Sequence, residues 1–254
     1  SLSQDIQGQT FDYPEDFFKE KIHAIRRPRP DEFQIKEAAE KIKASKNPII
    51  ISGGGVFYSD AMEELSKFAI KHNIPVTQTV MGYSTMKRDH SHYAGQIGGL
   101  GGKNTNSLAK QTDLAIAVGT KLADFTTGSW TNFENENFKL VSINVSRFDA
   151  NKHLAQAVVG DARASLNELS AALGDWKAPD EWNNKSQIEL KAWNEHVDKE
   201  SAPTNQEVPS YVQVVGAVYR NSDPSDIAVT AAGGLVGEVI QVWRPRELNT
   251  HETE

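Results

Sequence analysis

Short apolar runs alternate with helical periods through the middle of this chain, and that alternation constrains the fold more than any other feature. Residues 48–52 form a continuous apolar run that ends in Gly53-Gly54-Gly55, which is typical of a buried strand followed by a tight turn. Four more strands are predicted over residues 75–80, 113–119, 139–145 and 156–159. Strands that alternate with helices predict right-handed crossovers and a doubly wound parallel α/β sheet.

The predicted helices lie between these strands. An amphipathic period marks a helix over 34–43, and another over 162–173 closes the unit. Ser59 or Asp60 is expected to cap the helix that begins near Met62, because both residue types accept hydrogen bonds from the first turn of a helix. The loop 95–102 leads into a short helix over 105–110.

Composition excludes several classes of protein. The chain has 254 residues, no cysteine and a net charge of −7, so disulfides and thiolate metal sites are excluded. An acidic chain without a basic stripe argues against nucleic acid as the partner. Its apolar runs are far shorter than a membrane span, and Ser1 to Asp5 do not resemble a signal peptide, so a cytoplasmic location is expected.

Two glycine-rich segments follow predicted strands, at the sheet edge where such folds bind ligands. Gly53–Gly55 do not match the dinucleotide fingerprint, because Val56, Phe57 and Tyr58 follow, and a structural turn is predicted. Gly98–Gly102 precede Lys103, but the phosphate-loop pattern requires Ser or Thr after the lysine and Asn104 stands there, so the pattern fails. A flexible loop, or backbone contact with a neighbouring domain, is the expectation for this segment.

Two further segments contain candidate site residues. Asp89, His90 and His92 have no other ligand cluster near them, so a surface loop is predicted rather than a metal site. The segment from Gly119 to Trp130 follows a strand and closes on an aromatic residue. It fits either a ligand-binding edge or a helix start packed on a core tryptophan, and the residues alone do not decide between the two.

The termini differ from the middle of the chain. Residues 1–33 are expected to be an extended segment, with the basic cluster at 26–29 solvated, and 34–175 to form the doubly wound domain. Residues 176–208 read as a partly helical connector with a helix over 187–199. Residues 209–254 predict a helix, one strand and a helix, an incomplete second α/β unit. An unfinished unit of this kind would expose apolar surface such as Val212, Val215, Ile227 and Val229, so it should be disordered, self-associate or pack on the central domain.

These phrases together resemble a known family. PIIISGGG (48–55), IGGLGG (97–102), DLAIAVGTKLADFTTGSW (113–130) and LVSINVSRFDANKH (140–153) resemble, in this order, the central domain of thiamine-diphosphate enzymes of the acetohydroxyacid synthase type. The stretches QDIQGQTFDYPEDFF (4–18) and TAAGGLVGEVIQVWRPRELNTHETE (230–254) are similar to a hydrolase branch of that family that acts in myo-inositol catabolism. The resemblance covers nearly the whole chain.

The resemblance implies an enzyme of three domains, of which this chain would be a part. Residues 1–33 would end the pyrimidine-binding domain, and 209–254 would begin the diphosphate-binding domain. The implied reaction opens a cyclic 1,2-diketone, trihydroxycyclohexanedione, to 5-deoxy-glucuronate, with thiamine diphosphate and Mg²⁺ as cofactors. A homo-oligomer, dimer or tetramer, is implied as well.

The resemblance assigns cofactor-binding residues and no catalytic or metal-binding ones. Ala232, Gly233, Gly234 and Leu235 match positions where relatives touch the diphosphate; relatives often carry Gln-His after the first glycine, so contact here would be through backbone amides. The activating glutamate of the family would precede Ser1, and its G-D-G…N metal motif would follow Glu254. Phe125 lies in the region where flavin-containing relatives carry an arginine, which argues against flavin binding.

Three hypotheses therefore stand. The chain belongs to a C–C hydrolase of this kind and is inactive without the rest of that enzyme, or it belongs to an acetohydroxyacid synthase-like lyase or transferase. Those two enzymes make up the first hypothesis, and the second is a stand-alone module that binds a nucleotide or flavin. A purely structural, oligomer-forming domain is the third reading and overlaps with the first.

Overall fold

The computed structural model describes residues 2–231 and 233–253. The helices are α1 Gln4–Gln7, α2 Glu32–Lys43, α3 Gly54–Tyr58, α4 Met62–His72, α5 Lys103–Gln111, α6 Asp124–Thr127, α7 Arg147–Ala150, α8 Ala162–Leu173, α9 Asp180–Glu200, α10 Tyr211–Asn221 and α11 Val236–Val242, with 3-10 turns at Glu15–Phe17, Val80–Gly82 and Lys152–Leu154. The strands are β1 Pro48–Ser52, β2 Val76–Gln78, β3 Tyr93–Gln96, β4 Leu114–Val118, β5 Lys139–Asn144, β6 Gln156–Val159, β7 Ala228–Thr230 and β8 His251–Thr253.

A parallel sheet organises the first three quarters of the chain. Within the described residues it has six strands in the order β3-β2-β1-β4-β5-β6, so the doubly wound α/β fold is confirmed. The strand order reverses between β1 and β4, and ligands of such folds bind at the carboxyl ends of strands at that point.

Both faces of the sheet are buried, which explains why the central strands β1 and β4 are almost continuously apolar. Ile50 and Ile116 point to one face and pack with residues of α2, α4 and α8. Ile49, Ile51 and Ala115 point to the other face, where α5 and Trp182 of α9 cover them. Alternate residues of one strand therefore enter two separate cores, as the two-residue period of a strand requires.

Several predicted details were wrong. β3, at the sheet edge, was assigned to a loop because Tyr93–Gln96 contain a glycine and no apolar run. Neither Ser59 nor Asp60 caps α4, whose N-cap is Ala61, because the short helix α3 intervenes. The basic linker is not merely solvated: Arg27 pairs with Asp161, which is the N-cap of α8, at 3.1 Å.

The C-terminal unit, as residues 209–253 are called here, contains the elements α10, β7, α11 and β8 in that order along the chain. The predicted lone strand has a partner, since β7 pairs in parallel with β8. Of the expected outcomes for this unit, the structure has it packed on the rest of the chain. In that packing Val215 is buried and Val212 is partly buried against Val197 of α9. Ile227 and Val229 are exposed as predicted.

Candidate functional site

The turn after β1 meets the turn after β4 at the point where the strand order reverses. Gly55 donates a backbone hydrogen bond to the carbonyl of Gly119 at 2.9 Å, and Gly53 donates one to Val118 at 2.9 Å. A Cβ placed on Gly55 would lie 2.6 Å from the Cα of Gly119. The glycines therefore allow the two turns to pack together. The amides of Gly53 and Gly55 form hydrogen bonds within the fold, which agrees with the predicted structural turn.

A cleft of about 560 Å³ lies beside this contact, at the same edge of the sheet. Its walls come from the turns after β1, β4, β5 and β6 and from the extended segment before α2, with Arg26, Ser59, Asn144 and Asp161 among its polar residues. The cleft is thus formed where a doubly wound sheet usually binds its ligand.

The glycine loop, Gly98–Gly102, is fixed by hydrogen bonds. The side chain of Asn106 accepts from the Gly98 amide at 3.0 Å and donates to the Gly98 carbonyl at 2.9 Å. Gly99 donates to the Phe125 carbonyl at 2.7 Å. Gly98 has φ +105°, and a Cβ there would overlap that carbonyl. The loop is consequently held in place rather than free, and the expected contact with a neighbouring unit is present through Leu100, which lies beside Gly237 of α11.

His90 and His92 anchor the loop between β2 and β3 to helix α4. The His90 ring lies 2.8 Å from Ser66 Oγ, and the His92 ring lies 3.1 Å from Asn73 Oδ1. Burial, with a smaller effect of His90, lowers the pKa of His92 to about 4. The prediction of a surface loop was wrong for His92, which is buried. No group of three or more potential metal-ligating side chains lies together anywhere in residues 2–231 and 233–253.

The segment from Gly119 to Trp130 has the helix start and packed tryptophan of one of its two interpretations, and its role as a ligand-binding edge stays a prediction. It forms the short helix α6 and then packs the partly buried Trp130 ring 4.2 Å from the His153 ring. Ser129 and Trp130 have positive φ values of 51° and 69°, and His153 and Leu154 have values of 61° and 58°. Phe125 is exposed at the same edge. The segment thus combines a packed tryptophan with strained backbone, and its first residue, Gly119, lines the cleft.

The predicted cofactor-binding loop lies in the C-terminal unit, between β7 and α11. Ala232 falls outside the described residues. Gly233 and Gly234 are exposed, and a Cβ on Gly233 would meet no heavy atom within 4 Å. Leu235 is the residue before α11 and is 44% exposed. The backbone at these three residues is therefore open to close approach by a ligand.

Comparison with known proteins assigns the fold to a family. Residues 35–169 match the family described as thiamine pyrophosphate enzyme, central domain. The chain belongs to this family. The match covers just over half of the chain and spans the six-stranded sheet with the helices on both its faces.

Relatives of this central domain extend the match to the whole chain. It is 37% identical over its full length to a 3D-(3,5/4)-trihydroxycyclohexane-1,2-dione hydrolase of Clostridium tetani. Proteins of the same name from Geobacillus thermodenitrificans and Lacticaseibacillus casei are 35% and 32% identical. The chain spans 43% of the length of each of these relatives.

Thiamine diphosphate, the cofactor of the family, is compatible with the loop beside this central domain. A diphosphate needs donors and space, and glycine backbone offers both where no side chain fills the position. Gly233 and Gly234 have open space beside them, whereas the amides of Gly53 and Gly55 are already bonded within the fold. Leu235 can add only its backbone.

In residues 2–231 and 233–253, no helix combines the length and the apolar character needed to cross a membrane.

Proposed function

We propose that this chain supplies the central domain and the first cofactor-binding loop of a thiamine-diphosphate-dependent hydrolase. The enzyme would open the ring of a cyclic 1,2-diketone, trihydroxycyclohexanedione, to give 5-deoxy-glucuronate in myo-inositol catabolism. The observation that carries this proposal is identity of 37% over the full length of the chain to a relative named for that substrate. Membership of the thiamine pyrophosphate enzyme family supports the same conclusion.

The division of the chain follows from that proposal. Residues 34–175 would form the central domain, and 1–33 the end of the pyrimidine-binding domain with its linker. Residues 176–208 would connect it to the start of the diphosphate-binding domain at 209–254. The placement of β7 and α11 in a unit distinct from the six-stranded sheet supports the last boundary.

Gly233, Gly234 and Leu235, with Ala232, would hold the diphosphate of the cofactor through their backbone. When bound, thiamine diphosphate supplies the nucleophile and electron sink for carbon–carbon cleavage. Mg²⁺, the second proposed cofactor, would supply positive charge to offset the negative charge of the diphosphate. No group of three or more potential metal-ligating side chains lies together in the described residues, and none of this chain's residues is proposed as a Mg²⁺ ligand. A cytoplasmic homo-oligomer, dimer or tetramer, is the proposed setting.

The test uses the complete enzyme that contains this chain. Supplied with thiamine diphosphate, Mg²⁺ and the cyclic diketone, it should form the ring-opened acid, detected by mass spectrometry. Pyruvate is the comparison substrate. Carboligation of pyruvate without hydrolysis of the diketone would replace this proposal with the acetohydroxyacid synthase-like alternative.

The chain alone is proposed to be inactive and to bind the cofactor weakly. Isothermal titration of residues 1–254 with thiamine diphosphate and Mg²⁺ checks this. A micromolar or tighter dissociation constant would contradict it.

The cleft at the sheet edge favours a second candidate, a nucleotide- or flavin-binding module. Its volume of about 560 Å³ is within the usual range for small-molecule sites. Flavin absorbance in the purified protein would support that candidate, and a colourless protein without bound nucleotide would exclude it.

A further inference from the structure

Tyr83 reaches from the sheet domain to the end of α11. It lies in the loop between β2 and β3, is 5% exposed, and its hydroxyl donates to the carbonyl of Trp243 and lies 3.2 Å from that of Ile240. The last carbonyls of a helix have no partner within the helix. Tyr83 therefore supplies, from another part of the chain, a donor that α11 lacks.

The protonation of the Tyr83 hydroxyl suits a role as hydrogen-bond donor. Burial raises the pKa of Tyr83 well above its ordinary value, with smaller contributions from Tyr93 and Tyr219, so the hydroxyl stays protonated. Neighbouring residues link the same two segments. The Arg88 backbone amide donates to the Pro245 carbonyl at 2.9 Å, and the Asn249 backbone amide donates to the Ser84 carbonyl at 3.3 Å. One loop of the sheet domain thus runs along the segment that follows α11.

The glycine loop lies beside α11, near Gly237 in its first turn and Gln241 in its last. Leu100 lies against Gly237, where a Cβ would be in ordinary contact with Leu100 Cδ2 at 3.5 Å. The side chain of Gln241 approaches the Leu100 carbonyl at 3.5 Å. Because Asn106 and the Phe125 carbonyl fix the loop on either side of Gly98, Leu100 is presented from a rigid base.

Together these contacts hold both ends of a helix that begins directly after Gly233–Leu235. We propose that Tyr83 and Leu100 are positioning residues: they fix α11, and through it the orientation in which this loop binds the cofactor diphosphate. The inference rests on the proposed function for the identity of the ligand. It also gives the glycine loop a role, since only a chain free of Cβ atoms at Gly98 and Gly101 can fold tightly enough to present Leu100.

The first test is Tyr83→Phe in the complete enzyme, which removes the hydroxyl and keeps the ring. A buried carbonyl that loses its donor destabilises the conformation in which α11 is correctly placed. Fewer molecules then have the binding-competent conformation, so the apparent affinity for the cofactor falls. The dissociation constant for thiamine diphosphate should rise by about three- to tenfold. Turnover at saturating cofactor should return to that of the unsubstituted enzyme, because excess ligand restores the bound state.

The matched control is Tyr93→Phe, which removes another buried hydroxyl, one that accepts from Gln96 at 2.7 Å within the sheet domain. Hydrogen exchange of the cofactor-free enzyme is the second measurement. Amides of residues 236–243 should exchange faster in Tyr83→Phe than in Tyr93→Phe. Equal dissociation constants and equal exchange in the two variants would overturn the positioning role.

Leu100→Ala decides the question if Tyr83→Phe fails to fold. It should raise the same dissociation constant and leave turnover at saturating cofactor unchanged, and an unchanged constant would overturn the inference. If the unsubstituted enzyme binds no thiamine diphosphate, the proposed function itself fails. If it binds and the variants bind equally well, only the positioning role is lost.

Discussion

The contact between Gly55 and Gly119 is the residue-scale feature on which the sheet edge depends, because each backbone occupies the space where the other would carry a side chain. Gly55→Ala should lower the free energy of unfolding by about 2–4 kcal/mol, since the new Cβ meets backbone that cannot move cheaply. Urea denaturation measures this.

Gly237→Ala is the matched control for that substitution. Gly237 is also helical, but its Cβ would be in ordinary contact at 3.5 Å. Alanine should leave the free energy of unfolding unchanged or raise it by about 0.5–1 kcal/mol, because glycine is a poor helix former. Equal effects of the two substitutions would mean that the close approach of the two turns does not contribute to stability.

His92 makes stability depend on pH. Burial keeps its ring neutral in the folded protein, with a pKa of about 4, whereas the unfolded chain takes up a proton near pH 6.5. The unfolded state therefore binds more protons between these values, so stability is complete above about pH 6.5 and is lost as the pH falls towards 4. His251, whose pKa burial also lowers to about 4, contributes with the same sign.

His92→Gln should therefore reduce the fall in melting temperature between pH 7 and pH 4.5, without abolishing it. His23→Gln, at an exposed position, is the control and should leave the pH profile unchanged. A profile for His92→Gln identical to that of the unsubstituted protein would show that the proton uptake belongs to other groups.

At the scale of elements, predictability followed the strength of the local pattern. β1, β4 and β5 are apolar and buried on both faces, so a short window of sequence is enough to recognise them. β3 could not be recognised, because Gly95 has φ +104° and, among the described residues, the strand pairs with β2 alone. β8 depends on a partner more than twenty residues away. Long-range pairing carries no local signal.

Helix α9 was predicted to begin at 187 but begins at Asp180, because Trp182 anchors its first turn. The Trp182 indole donates to the Pro48 carbonyl at 2.8 Å, at the start of β1. Trp182→Phe should lower the free energy of unfolding by about 1–3 kcal/mol, since this buried carbonyl loses its donor. Ile188→Ala, at a position 70% exposed on the same helix, should change it by about 0.5 kcal/mol or less. Similar losses in both would argue that the bond is unimportant.

At the scale of the molecule, the sequence located the candidate loop at 232–235 only through resemblance. Nothing in the residues themselves marks Gly233 as open or Gly53 as closed, because both are glycines after a strand. The difference arises from packing: Gly119 fills the space beside Gly53 and Gly55, and nothing within 4 Å fills the space beside Gly233. Tyr83 and Leu100 had no signal at all, since their role depends on which units are neighbours.

The C-terminal unit buries some of its apolar side chains against α9 and exposes others, and the exposed ones affect how the isolated chain associates. Val218, Ile227 and Val229 are 56%, 63% and 67% exposed. Exposed apolar surface of this kind promotes association. Residues 1–254 should therefore self-associate as their concentration rises, as measured by light scattering.

Val229→Lys should reduce that association, because a charge on β7 opposes burial of the strand against another chain. The melting temperature should stay unchanged, since the side chain makes no buried contact to lose. Ile70→Lys, at a position 54% exposed on α4, introduces the same charge outside the C-terminal unit. If Ile70→Lys reduces self-association as much as Val229→Lys does, the reduction results from net charge. The chains would then not associate through the face around β7.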